Sequence, residues 1–193
     1  MHSICVFLGS NPGFDPRFAQ AARAMGRELA RRGLALVYGG SNVGLMGFLA
    51  DTVLAAGGRA VGVIPAALRD KEIAHPGLSE LHVVGSMHER KALMAELADG
   101  FAALPGGMGT LEELCEVLTW GQLGIHAKPC GVLDVDGYWS GLARFLTTMV
   151  ESGFLHPAHR DMLLAADTPA ALLDAFAAYV PPRAKKWLST REA

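Results

Sequence analysis

Six short apolar runs, at 4–8, 35–38, 60–64, 81–84, 101–104 and 131–133, alternate with longer stretches whose apolar residues recur every three or four positions. The short runs read as buried strands, and the longer ones as helices over 16–32, 43–56, 87–97, 110–123, 139–152 and 169–178. In the first helical stretch Phe18, Ala22, Met25 and Leu29 share one face, while Arg23, Arg27, Arg31 and Arg32 fall mostly on others. A β-α-β-α order joins each strand to the next through a helix, which makes the strands parallel and places helices on both faces of the sheet. The expected fold is α/β, a doubly wound parallel sheet. One domain is expected over 1–180, with a short tail over 181–193 that starts at Pro181-Pro182 and carries Trp187 and Leu188 as residues able to pack it back.

Composition agrees with a buried parallel sheet, since 51% of the chain is hydrophobic and 23 glycines are available for its turns. No apolar run approaches the roughly 18 residues of a membrane span. Seventeen Lys plus Arg stand against nineteen Asp plus Glu, and a net charge of −2 sets up no large field for nucleic acid or an anionic membrane. The expected partner is a small molecule. Three widely spaced cysteines, Cys5, Cys115 and Cys130, form neither a disulfide framework nor a zinc pattern. The chain runs from Met1 straight into a strand without a basic segment and a long apolar one, so a cytoplasmic location is expected.

In doubly wound sheets ligands collect beyond the carboxyl ends of the strands, where strand order reverses. Three glycine-bearing junctions fall at such ends: GSNPG at 9–13, GGSNVGLMG at 39–47 and PGGMGTLEE at 105–113. The third opens a helix, where glycines let the backbone approach a ligand and the first N–H groups point outward with the positive end of the dipole. That is an anion site, and phosphate is its natural occupant. The G-x-G-x-x-G spacing of dinucleotide binders and the GxxxxGK[ST] run of triphosphate binders are both missing, so a mononucleotide or sugar phosphate fits better than NAD or ATP. Taken singly, each glycine turn also fits a simple packing role.

Glu112 and Glu113 stand one turn into that helix, with Glu116 beyond them. Acids in a first turn can simply compensate the helix dipole. Beside a bound phosphate, a carboxylate would instead lie near the ribose, where it can stabilise an oxocarbenium-like transition state or orient water. Arg90, in SMHERK at 86–91, also has two readings: part of a solvated charged face with Glu89 and Lys91, or a planar fork that clamps a phosphate, hydroxyl or carboxylate. Seven histidines form no metal pattern, and HExxH, DFG, GxSxG and SxxK are missing, which argues against metalloprotease, kinase and serine-hydrolase chemistry. Met46, Met87, Met94 and Met108 gather near loop edges, as core filling or as the lining of an adaptable apolar pocket.

GGSNVGLMG, MHERKALM, PGGMGTLEE and LTWGQLGIHAKP at 118–129 together closely resemble the Lonely Guy family, the cytokinin riboside 5′-monophosphate phosphoribohydrolases. The resemblance runs from VFLGS at 6–10 to the Pro181-Pro182 tail. It implies a Rossmann-like homodimer, with larger assemblies also open to it and without a cofactor or metal, that hydrolyses the N-glycosidic bond of a nucleoside 5′-monophosphate to free base and ribose 5-phosphate. Its catalytic arginine and glutamate fall on Arg90 and Glu113. Gly106, Gly107, Gly109 and Thr110 would hold the 5′-phosphate, and Ser10, Asn11, Gly40, Ser41, Met87 and Lys91 would line the rest of the cleft. Asn11 stands where many relatives carry Ser, a departure that bears on base preference more than on the reaction. Relatives have been labelled lysine decarboxylases, but the sequence carries no sign of a pyridoxal phosphate site.

Two other functions use the same residues. A general hydrolase of AMP and other nucleoside monophosphates needs the whole site and differs only at the N6 substituent of the base. A non-catalytic carrier of a nucleotide or of molybdenum cofactor needs the phosphate loop and gains nothing from Glu113.

Overall fold

The computed structural model describes residues 1–72 and 74–182; the tail contacts expected of Trp187 and Leu188 lie outside the described residues. In chain order the elements are β1 (Ser3–Phe7), α1 (Pro16–Arg31), β2 (Ala35–Tyr38), α2 (Gly44–Ala55), β3 (Ala60–Pro65), α3 (Ala66–Glu72), β4 (Glu80–Val84) and α4 (Met87–Leu97). They continue as β5 (Phe101–Ala103), α5 (Met108–Gln122), β6 (Cys130–Leu133), α6 (Ser140–Glu151), α7 (Pro157–Arg160), β7 (Leu163–Ala166) and α8 (Pro169–Ala177). The six expected strands and six expected helices all form, with ends within two residues of the periodicity reading.

Three elements add to that reading. The strand β7, Leu-Leu-Ala-Ala, has little strand propensity of its own. It is held by pairing with β6, Cys130 to Leu163 through Leu133 to Ala166, at the edge of the sheet. The helices α3 and α7 are short and fall outside the six helical stretches expected from sequence.

All seven strands are parallel, in the order β4-β3-β2-β1-β5-β6-β7. Alternate residues serve two cores. Ile4, Val6 and Leu8, with Leu36 and Tyr38, pack with Ala22, Met25 and Leu29 of α1, Leu49 and Val53 of α2 and Leu172 and Phe176 of α8. Cys5, Phe7, Val37, Phe101 and Ala103 face the other way, onto Met94 of α4, Leu114 and Val117 of α5 and Trp139. This is the Rossmann-like doubly wound arrangement. No helix among the described residues is long and apolar enough to cross a membrane.

The order reverses between β1 and β5, whose carboxyl ends lie side by side. There Leu104 N–H donates to the Phe7 carbonyl at 2.9 Å, and Gly9 N–H donates to the Pro105 carbonyl at 3.2 Å. The first and third glycine junctions are thereby joined at the point of the sheet where a ligand crevice opens.

Candidate active site

At that crevice lies a cavity of about 330 Å³, walled by Val6 to Ser10 of the β1 end, Gly39 and Met46, Leu68 of α3, Met87, Arg90 and Met94 of α4, and Gly107 to Thr110 with Glu112 and Glu113 of α5. The helix α5 starts at Met108 with Gly107 as its N-cap, and no side chain caps it. Its first N–H groups, which have no carbonyl one turn earlier, lie along the cavity wall and remain available to an anion. Thr110, in this first turn, is buried, and its Oγ1 lies against Gly106.

The α4 segment excludes a solvated charged face as the setting of Arg90. Ser86 caps α4 by accepting from Glu89 N–H at 3.1 Å, and the Glu89 carboxylate accepts from Gly85 N–H at 2.8 Å. Glu89 is used in capping, and Arg90 turns inward to 6% exposure. Its Nε donates to the Val63 carbonyl at 3.0 Å and its Nη2 to the Gly39 carbonyl at 2.9 Å. A guanidinium bound on two sides by the ends of β3 and β2 is held as a fixed cation at the cavity floor.

Glu113 is half-buried and lines the same cavity. The buried Cys5 thiol reports both charges: burial pushes it well above its ordinary value, Glu113 raises it further and Arg90 opposes that. Glu112 and Glu116 are engaged elsewhere. Lys91 donates from Nζ to Glu112 Oε1 at 2.5 Å and to Glu116 Oε1 at 3.0 Å, tying α4 to α5. Burial alone would lower the Lys91 ammonium, but hydrogen bonds to Glu112 and Glu116 hold it above the usual lysine value. The ammonium offsets part of the negative charge of Glu112 and Glu116, while Glu112 and Glu113 both line the cavity.

The structure brings together most of the residues singled out from sequence, with some redistribution. Arg90, Glu113, Gly107, Gly109, Thr110, Ser10 and Met87 line the cavity. Gly106 and Asn11 border a second cavity, also of about 330 Å³, that shares Gly9, Ser10 and Gly107 with the first. Gly40 and Ser41 do not line the first cavity: Gly40 accepts from His75 N–H at 2.9 Å, and the fully buried Ser41 accepts from the Tyr38 hydroxyl through its carbonyl at 3.1 Å. Lys91 likewise faces the α4–α5 seam rather than the cavity.

Sequence reasoning did not identify Gly39, Leu68 or Tyr138. The first acts through its carbonyl, the second sits on a helix with no clear period, and the third reaches the loop from another part of the chain. All four candidate methionines, by contrast, converge on the cavity wall, with Met46 and Met94 buried and Met87 and Met108 exposed at the rim. Among the described residues no group of three His, Cys, Asp or Glu is arranged to hold a metal ion.

The family model described as "possible lysine decarboxylase" matches residues 46–176. A probable cytokinin riboside 5′-monophosphate phosphoribohydrolase of Oryza sativa subsp. japonica is 49% identical over 93% of this chain and 73% of its own length. A cytokinin riboside 5′-monophosphate phosphoribohydrolase of Arabidopsis thaliana is 46% identical over 92% of this chain and 83% of its own. Among solved structures, the molybdenum cofactor binding protein of the phototrophic bacterium Rippkaea orientalis superposes with a TM-score of 0.69 at 21% identity, over 92% of this chain and 96% of that one. At such identity the likeness is one of fold. With plant relatives close to half identical along nearly all of its length and a family model matched over residues 46–176, the chain belongs to the Lonely Guy family of phosphoribohydrolases.

Proposed function

We propose that this protein is a cytokinin riboside 5′-monophosphate phosphoribohydrolase, cleaving the bond between ribose and base to release free base and ribose 5-phosphate. The observation that carries the reading is the convergence of Arg90, Glu113 and the α5 start on one cavity. The 5′-phosphate sits at the first N–H groups of α5 with the Thr110 hydroxyl, and its binding energy fixes the ribose one helical turn further in, against Glu113. As the glycosidic bond breaks, Glu113 stabilises the positive charge that develops on the sugar and orients the attacking water. Arg90 supplies the opposing charge and holds substrate oxygens. The departing base takes its proton from solvent.

The methionine wall favours a base with an apolar N6 substituent over plain adenine. Met46, Met87, Met94, Met108 and Leu68 supply flexible apolar surface beside the catalytic pair. Each buried methylene is worth about 0.8 kcal/mol, so a five-carbon chain that fits shifts preference by some orders of magnitude. The decarboxylase description of the family model fits the residues poorly. Pyridoxal phosphate enzymes carry their cofactor on a lysine, and among the described residues none of those lining the cavity is a lysine.

The test is release of free base from AMP and from isopentenyladenosine monophosphate, side by side, with wild type and Glu113→Gln. The variant is expected to turn over roughly a hundredfold more slowly or worse, in the range for loss of a principal electrostatic group. Binding of both substrates without cleavage by wild type would instead support a carrier. A homodimer belongs to the same reading: Met108, Leu123, Ile125 and Phe145 are exposed apolar residues on or beside α5 and α6, and α6 buries no residue within the chain. Light scattering after size exclusion should give twice the mass of the chain.

A further inference from the structure

Tyr138 lies in the loop between β6 and α6, and its hydroxyl donates to the Gly106 carbonyl at 2.5 Å. The ring is braced edge-on by Phe18, with centroids 5.6 Å apart, and by Trp139 at 5.2 Å. The loop itself is pinned at two points. Asp134 accepts from Trp139 N–H at 2.9 Å, and Asp136 pairs with Arg17 of α1 at 2.8 Å. A packed aromatic on an anchored loop thus delivers one hydroxyl to one peptide of the glycine turn.

That peptide joins two glycines, and the backbone freedom of a Gly-Gly pair lets it present either its carbonyl or its N–H to a ligand. In a trans peptide the two point in opposite directions, and the described residues contain no cis peptide bond. Tyr138 lines the second cavity, and the first cavity adjoins it at Gly9, Ser10 and Gly107. The Gly106 carbonyl is engaged by a residue of the second cavity, and the opposite end of the same peptide belongs to Gly107, which lines both cavities. The packing admits no side chain at Gly106, where a Cβ would lie 2.1 Å from Thr110 Oγ1 and 2.9 Å from Gly9 N, so the residue stays glycine and the peptide needs an outside partner to fix its orientation.

We infer that Tyr138 is a positioning residue for the substrate phosphate, its hydroxyl locking the Gly106–Gly107 peptide with the amide toward the anion. The identity of the anion rests on the phosphoribohydrolase reading; the orientation of the peptide does not. Without the hydroxyl the peptide rotates, and a carbonyl dipole turned to a phosphate oxygen repels it.

Tyr138→Phe removes the hydroxyl and keeps the braced ring. Calorimetry with ribose 5-phosphate, and with adenine as a ligand lacking phosphate, is run on wild type and variant beside steady-state base release. Losing one hydrogen bond that orders the anion site is expected to weaken ribose 5-phosphate and raise KM by roughly five- to tenfold. Adenine affinity and Tm should stay constant, and saturated kcat should stay within about twofold, as for an interaction shared by ground and transition states. Unchanged ribose 5-phosphate affinity, or equal weakening of both ligands, would overturn the inference. If wild type binds ribose 5-phosphate yet releases no base, the functional reading fails, and the ratio of the two affinities still decides the role of Tyr138.

Discussion

Arg90 and Gly39 are fitted to each other: the guanidinium donates to the Gly39 carbonyl, and a methyl group on Gly39 would stand 2.2 Å from Arg90 Nη2. Residue 39 is not in the left-handed region, so alanine meets no backbone strain there. What must move is the end of a flexible side chain. Gly39→Ala is expected to lower stability by about 1–3 kcal/mol, as for a buried acceptor left without its donor, while kcat/KM for the monophosphate falls by about a hundredfold, the cost of an ångström-scale misplacement at a reacting centre. Unchanged kcat/KM would show that the position of Arg90 is immaterial.

Arg90→Lys tests the two-sided hold. An ammonium is a compact point charge and cannot serve the Val63 and Gly39 carbonyls in the planar geometry that the guanidinium adopts. A buried acceptor left without its donor costs about 1–3 kcal/mol. Urea unfolding should register a loss of that size, and base release should fall with it although the positive charge is retained.

Lys91→Met should leave the cavity wall intact and loosen the α4–α5 seam, with a stability loss on the order of 1 kcal/mol for a partly shielded ion pair. Its pH dependence is specific. Because the folded chain holds the Lys91 ammonium above the usual lysine value, the contribution is fully present below about pH 10.4 and is lost as pH rises through the higher folded value. Denaturant midpoints of wild type and variant should therefore converge in strong alkali and differ at pH 8.

Glu28 contributes to the acid limb, alongside Asp15 and Asp99, whose carboxyls are also held below their ordinary values. Hydrogen bonds from Arg31 and Arg32 bring its carboxyl down to about 2, and Arg32 also pairs with Asp174, linking α1 to α8. A depressed carboxyl stabilises the fold above its unfolded value near 4.3, and the contribution is lost as pH falls from there toward 2. Glu28→Gln should lower Tm at pH 7 and flatten its decline between about pH 4.3 and pH 2. A parallel decline in both proteins would contradict this assignment.

Legibility from sequence followed the range of the interaction. The helix α1, Pro16–Arg31, was readable almost end to end because the recurrence of Phe18, Ala22, Met25 and Leu29 on one face is a local pattern. The strand β7 was not, because Leu-Leu-Ala-Ala becomes a strand only when β6 offers it a partner. Arg90 and Glu113 were legible through the resemblance of their motifs, yet the charged string around Arg90 fits a solvated face equally well until β2 and β3 supply the carbonyls that bury it. Gly40 and Ser41 belong to a legible glycine turn. Which of its residues meets the cavity was decided by how that turn packs: Gly39 meets it, while Gly40 and Ser41 turn to His75 and Tyr38.

The sequence by itself determined the alternation of strand and helix, the parallel sheet and the glycine loops at strand ends, since periodicity, capping and turn chemistry act over a few residues. The tertiary structure alone decided that Lys91 ties Glu112 to Glu116, that four methionines from three helices share one wall, and that Tyr138 reaches Gly106. Those contacts join residues remote in the chain, and they exist because the reversal of strand order between β1 and β5 sets the two loops side by side. Strand order is an outcome of packing both faces of the sheet at once, and no local pattern records it.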